Sequence, residues 1–254
     1  MRVLALANQK GGVGKTTTAV NLAAGLHGKG KRVLLVDMDP QSNAAFSAGV
    51  DLMRLEVSGY DVFKGNAKAE QAIEPVRLGY DVITGGLQLA GADMEFTGVG
   101  REFLLAEMLE PIKANYDYCI IDSGPQLGVC LMNALTAANE VIIPVQPDAY
   151  ALQGMRQLFG FIRNVQKYSN KGLKVAGLLV TRFEARNSMM DTLEPQIQAI
   201  AESMGSKVYK TRIRATVAVP KAALERADLY QFDSRATAAV DYAAFVDEFL
   251  SEEA

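Results

Sequence analysis

Residues 8–17 read Asn8-Gln9-Lys10-Gly11-Gly12-Val13-Gly14-Lys15-Thr16-Thr17. Before them, Arg2–Ala7 is an apolar run of the length of one buried strand. After them, Thr16–His27 carries a helical pattern that stops at Gly28 and Gly30. A glycine-rich loop that ends in Lys-Thr, between a strand and a helix, is a phosphate-binding loop in the context its mechanism needs. The glycines let successive backbone N–H groups turn inward around phosphate oxygens, and the helix N-terminus adds partial positive charge. Lys15 is then expected to bridge β- and γ-phosphates and the Thr16 hydroxyl to ligate Mg²⁺. Lys10, Gly11, Gly12, Val13, Gly14, Lys15, Thr16 and Thr17 are the expected cradle, and ATP with Mg²⁺ the expected cofactors.

Outward from this loop, short apolar runs alternate with helix-period segments. Arg32–Asp37, Asp81–Ile83, Tyr118–Asp122, Val141–Val145 and Val175–Val180 read as further strands. Helical stretches lie near 99–114, 127–138, 149–168, 187–203 and 234–250. Continuous apolar strands joined by helices predict an α/β fold, a single P-loop domain over 1–254 with a mostly parallel sheet and helices on both faces. In such sheets ligands bind beyond the carboxyl ends of the strands. Two strands end there in aspartate. Val36-Asp37-Met38-Asp39-Pro40-Gln41 places a carboxylate just beyond a strand end, where it can orient a water against a γ-phosphate, with Asp37 readable instead as an acceptor for loop N–H groups. Tyr116–Asp122 has the Walker B form, with Asp122 holding Mg²⁺ through water.

The loop departs from the ordinary GxxxxGK[ST] spacing. Gln9 stands where the first glycine belongs, and a second lysine, Lys10, precedes the glycines. This resembles the deviant Walker A loop, KGGxGK[ST], of the ParA/MinD group. Asp37–Gln41 resembles the DxDPQ segment of ParA-type partition ATPases. So do Leu87–Glu95, Val141–Gln146 with Tyr150–Gly154, Leu178–Thr181 with Arg186, and a final helix from Phe232-Asp233-Ser234-Arg235. The chain is similar to the short form, without an N-terminal helix-turn-helix extension. The resemblance implies that Lys10 reaches across a homodimer to the partner's nucleotide, with Lys10, Lys15 and Asp39 as the catalytic set. It also implies that the ATP-bound sandwich dimer binds double-stranded DNA non-specifically, and that a ParB-type partner stimulates hydrolysis and releases it. The setting would be cytoplasmic and nucleoid-associated. Ser123-Gly124 replaces the two prolines that usually follow the Walker B aspartate.

Composition narrows the partners. The net charge is −3, yet residues 156–226 hold thirteen Lys/Arg against five Asp/Glu, a local +8. Such a split suggests a polyanion partner or chance solvated faces. With the resemblance, Arg182, Arg186, Arg212, Arg214 and Lys221 are the DNA-contact candidates. Arg214 and Ala218 stand where relatives carry a proline and a DNA-contacting arginine. A MinD-like positioning ATPase acting on a membrane or another cargo is the alternative, but it needs a basic amphipathic tail. Residues 241–254 end acidic instead, with an Ala243, Val246, Phe249 and Leu250 stripe that reads as a core face, so no membrane is expected. No apolar run approaches the roughly 18 residues of a membrane span. Cys119 and Cys130 form no CxxC and read as small buried residues of a reducing compartment rather than cluster ligands.

Overall fold

The computed structural model describes residues 1–148, 151–184 and 189–252. The chain runs β1 (Arg2–Leu6), α1 (Lys15–Gly28), β2 (Val33–Asp37), α2 (Asn43–Ala48), α3 (Gly59–Phe63), β3 (Glu74–Pro75) and β4 (Asp81–Thr84). Next come α4 (Ala92–Glu95), α5 (Leu104–Leu109), β5 (Tyr118–Asp122), α6 (Val129–Ala137), β6 (Glu140–Val145) and α7 (Ala151–Tyr168). It closes with β7 (Lys174–Phe183), α8 (Met189–Ser203), β8 (Val208–Arg214), α9 (Ala218–Leu224), α10 (Leu229–Asp233) and α11 (Thr237–Ser251).

The strands form one sheet in the order β3-β4-β2-β5-β1-β6-β7-β8, parallel except for β3, which runs antiparallel to β4. Alternation along a strand sends successive side chains to opposite faces. In β1, Val3 and Ala5 enter one apolar layer with residues of α5, α6, α7 and α8, while Leu4 and Leu6 enter the other with α1, α2, α10 and α11. Both faces are therefore covered, which is why the strands read as unbroken apolar runs.

The six strands expected from sequence are present, and two more appear. β3 is only two residues long, and β8 is a basic run in which only Tyr209 and Ile213 are buried, so it does not read as apolar. The stretch expected to be helical over 99–114 is shorter: α5 is followed by a 3-10 segment, Glu110–Asn115, with Pro111 in its first turn. Leu87–Glu95 is a 3-10 turn, Leu87–Gly91, leading into the single turn of α4. The final helix starts at Thr237, five residues after Phe232. Its core face is Ala238, Tyr242, Phe245, Val246 and Phe249, with Ala243 exposed. Among the described residues no helix is long and apolar enough to cross a membrane.

Insertion of β5 between β1 and β2 brings the chemistry-bearing strand ends together. In register, Leu6 pairs with Asp122 and Asp122 with Asp37, so three strand ends stand level. On the far side, Phe245 of α11 is fully buried and packs edge-on against Tyr209 of β8, with ring centroids 4.9 Å apart. Phe245→Ala should cost about 3–5 kcal/mol through lost burial and the cavity left behind, read as a lower urea midpoint at unchanged slope.

Candidate phosphate-binding site

The loop after β1 is built by backbone geometry. Gly12 and Gly14 adopt left-handed φ of 74° and 87°, which side-chain-bearing residues rarely hold, and Gly14 opens α1. Asn8, buried, anchors the entrance: its Nδ2 donates to Pro144 O at 2.7 Å and its Oδ1 accepts from Lys10 N at 2.9 Å. Lys15 is only 6% exposed and its Nζ donates to the Lys10 carbonyl at 3.2 Å. Burial pushes the Lys15 ammonium down from the usual lysine range, while Asp122 and Asp39 pull it back up. Val13 differs from its neighbours. Its side chain is buried in the protein, and its carbonyl accepts from the Thr181 hydroxyl at 2.6 Å, so its N–H is what it can offer a ligand.

Asp37 is spent on structure: Oδ1 accepts from Asp39 N at 3.1 Å and Oδ2 from Ala45 N at 2.9 Å. Burial raises its carboxyl to about 7, against the pull of those hydrogen bonds. Asp122 lies beside it on β5 with no exposure. The Thr16 hydroxyl donates to Asp122 Oδ2 at 2.7 Å, while Oδ1 is buried without a hydrogen-bond partner. Burial, then the neighbouring Asp37, holds the Asp122 carboxyl well above the usual range, opposed by Thr16 and Lys15. An orphaned buried oxygen next to a threonine hydroxyl is the donor set that a hard divalent cation fits.

Asp39 is half-buried on the cavity wall, and its Oδ1 accepts from Gln41 N at 3.0 Å. The backbone after β5 crosses close to it: a Cβ at Gly124 would stand 3.5 Å from Asp39 Cγ. Ser123 turns inward and donates to Leu6 O at 2.7 Å, so the residue replacing a proline ties β5 to the end of β1. Farther along, Asp93 Oδ1 accepts from Val129 N at 2.6 Å and so caps α6. The carboxylate leans over Gly128, where an added Cβ would come within 2.4 Å of Asp93 Oδ2. Lys15, Thr16, Asp39, Asp93, Gly124 and Gly128 border a cavity of about 1350 Å³ that runs from the loop to an apolar wall of Phe46, Ile213, Val217, Val219, Pro220 and Leu224.

Lys10 is ion-paired within its own chain, to Asp148 at the end of the loop after β6. Burial, then the charge of Arg182, lowers its ammonium from the usual lysine range. Three of the DNA-contact candidates are likewise engaged inside the chain. The Arg182 guanidinium donates to Gly12 O at 3.2 Å. Arg212 pairs with Glu194 and lies over the Phe183 ring. Arg214 grips Asp241 through Nε at 2.9 Å and Nη2 at 2.6 Å. Lys221 is exposed on α9, and Arg186 lies outside the described residues. The sequence assigns no role to Asn8, Asp93, Asp148 or Thr181, because each has a partner at least 36 residues away: Pro144, Val129, Lys10 and Val13.

A family described as AAA domain matches residues 1–175. The sporulation initiation inhibitor protein Soj of Bacillus subtilis (strain 168) is 42% identical over 243 residues, 95% of each chain. The chain belongs to the Soj/ParA family of chromosome-partitioning ATPases. The chromosome partitioning protein ParA of Caulobacter vibrioides (strain NA1000 / CB15N) is 37% identical over 257 residues, covering 100% of this chain and 95% of that one. Among solved structures, cobyrinic acid a,c-diamide synthase from Mycobacterium smegmatis, with bound ATP analogue and magnesium, superposes with a TM-score of 0.86. It shares 34% identity over 100% of this chain and 96% of that one. Within this Soj/ParA frame Ser123 is a structural substitution. Ser123→Ala leaves the buried Leu6 carbonyl without that donor and should cost about 1–3 kcal/mol in denaturant unfolding.

Proposed function

We propose that this partition ATPase is an ATP-operated switch whose nucleotide-bound dimer holds DNA. The observation that carries the reading is that Lys15, Thr16 and Asp39 border one cavity at the level ends of β1, β2 and β5, with Asp122 hydrogen-bonded to Thr16 beneath it. Lys15 and the amides of Gly11–Thr17 bind the phosphates of ATP. Thr16 and Asp122 hold Mg²⁺, which when bound neutralises phosphate charge. Asp39 holds a water for attack on the γ-phosphate, with the Gly124 backbone alongside its carboxylate. Two copies facing across their nucleotides bring several negative charges together. Lys10 on each copy offsets that repulsion at the partner's phosphates once it leaves Asp148, which makes the dimer depend on ATP. A ParB-type partner stimulates hydrolysis and ends the cycle, and the protein resides on the nucleoid.

The chemistry separates cleanly by residue. Lys15→Ala should abolish ATP binding in calorimetry. Asp39→Ala should bind ATP as the wild type does but hydrolyse it about 100-fold more slowly, because water positioning contributes to the transition state and little to the ground state. Lys10→Ala should spare monomer ATP binding and weaken sedimentation of a dimer with a slowly hydrolysed ATP analogue. A solvated charge would change this by only about a few tenths of a kcal/mol.

DNA retention decides the cycle. The protein should hold duplex DNA of any sequence with ATP, and release it with ADP or without nucleotide. Phosphate contacts release counterions, so each cation lost from the contact surface should lower the log–log salt slope by about one unit. Lys221→Glu and Arg186→Glu are the variants to compare: Lys221 is exposed on α9, and Arg186 is the candidate that the family resemblance singles out. Retention that ignores nucleotide state counts against the switch.

A further inference from the structure

Two consecutive residues at the end of β7 grip two consecutive carbonyls of the phosphate loop. Thr181, 1% exposed, donates its hydroxyl to Val13 O at 2.6 Å. Arg182 donates Nη1 to Gly12 O at 3.2 Å. Arg182 does so from a left-handed backbone, φ 51°, a conformation that costs a residue with a side chain about 1–3 kcal/mol and persists only where its surroundings impose it. The register between β7 and β8 shifts just before this point, between Leu178 and Val180, and again across it, between Val180 and Phe183. Successive side chains of a regular strand point to opposite faces, so both reach the same loop only because the strand departs from regular geometry here.

The consequence comes from the peptide plane. The described chain has no cis bond, and in a trans peptide the carbonyl of one residue and the N–H of the next point in opposite directions. Drawing the Gly12 and Val13 carbonyls toward β7 therefore turns the N–H groups of Val13 and Gly14 away from it. Those two amides lie between the left-handed Gly12 and the first turn of α1, where consecutive N–H groups make an anion cradle. We infer that Thr181 and Arg182 are positioning residues that preset the Val13 and Gly14 amides for nucleotide phosphates before any nucleotide arrives. This rests on the ATP-binding reading of the site. Neither side chain needs to touch the nucleotide. The clamp acts through the loop, so it serves the phosphates and is indifferent to the base.

The test is competition for a fluorescent ATP analogue by tripolyphosphate, which has the phosphates alone, and by adenosine, which has none. Thr181→Val removes the donor at nearly constant shape, Thr181→Ser keeps it, and Arg182→Met removes the second donor at an exposed position that leaves the fold intact. Thr181→Val and Arg182→Met should each weaken ATP and tripolyphosphate about tenfold, leave adenosine unchanged, and speed amide hydrogen exchange across residues 11–16. Thr181→Ser should behave as the wild type. Equal losses for adenosine and tripolyphosphate would mean general distortion of the site and overturn the inference, as would unchanged affinities in both variants. A loss in Arg182→Met without faster exchange would mean that its charge alone acts, and overturns it too. If Thr181→Val does not fold, Arg182→Met carries the test by the same two readouts. A wild type that binds neither ATP nor tripolyphosphate overturns the ATP-binding reading itself, whereas binding in the wild type matched by both variants overturns only the clamp.

Discussion

Two carboxylates stand in register on adjacent strands, Asp37 on β2 and Asp122 on β5, and neither is exposed. Placing two like charges together out of water is unfavourable, and both groups are pushed up from the usual carboxylate range by burial first. The surroundings divide the problem. Asp37 gives its oxygens to the N–H groups of Asp39 and Ala45, which fixes the turn that carries Asp39 and the start of α2. Asp122 receives one hydroxyl, from Thr16, and keeps one oxygen without a hydrogen-bond partner. Of the pair, then, one carboxylate organises a loop and the other is left wanting a cation. A cation and the phosphates that accompany it relieve a strain that the fold itself creates.

That constraint explains why so much of the site is backbone held by distant side chains. Within the loop after β1, Lys15 folds its ammonium back onto Lys10 O and Asn8 accepts from Lys10 N; the other holds reach it from distant strands. Asn8 fixes its entrance to β6, Thr181 and Arg182 fix its middle to β7, and Ser123 locks the end of β1 to β5. Each bond joins strand ends that neighbour one another in the sheet or lie one strand apart. The loop is preorganised because the sheet is, and preorganisation is what makes fixed dipoles effective toward developing charge.

Sequence carried the fold and the chemical core of the site because both are written in local patterns. A strand, a glycine loop and a helix are contiguous, and an apolar run ending in aspartate is recognisable by itself. The rest is non-local. β8 escaped because this edge strand buries only Tyr209 and Ile213, and its other residues are mostly cationic, so it looks like a basic tract. Asp148, Asp93 and Thr181 carry no spacing rule: their partners are Lys10, Val129 and Val13, brought near only by the parallel crossovers. Ser123 looked like a defect in a motif, and only the position of the Leu6 carbonyl shows what it supplies.

Charge is the property for which reading along the chain misleads most. The +8 of residues 156–226 is a sum over a segment, whereas a ligand meets a surface. Folding lays the acidic side of α11 along β8: Asp241 binds Arg214, Glu248 accepts from the N–H groups of Lys210 and Thr211, and Glu252 pairs with Lys207. Glu194 takes Arg212 from the other side. Two cations of the tract, Lys207 and Arg214, thus meet acids from outside it, and part of the apparent excess goes to holding the edge strand to its helix. Arg214 shows the cost most clearly. Its guanidinium is committed to a carboxylate only 11% exposed, so engaging a DNA phosphate would mean stripping Asp241 of its partner. Lys221, exposed on the short helix that comes next, carries no such commitment to α11. Under the proposed reading, a surface for DNA phosphates would fall to the cations that β8 does not use.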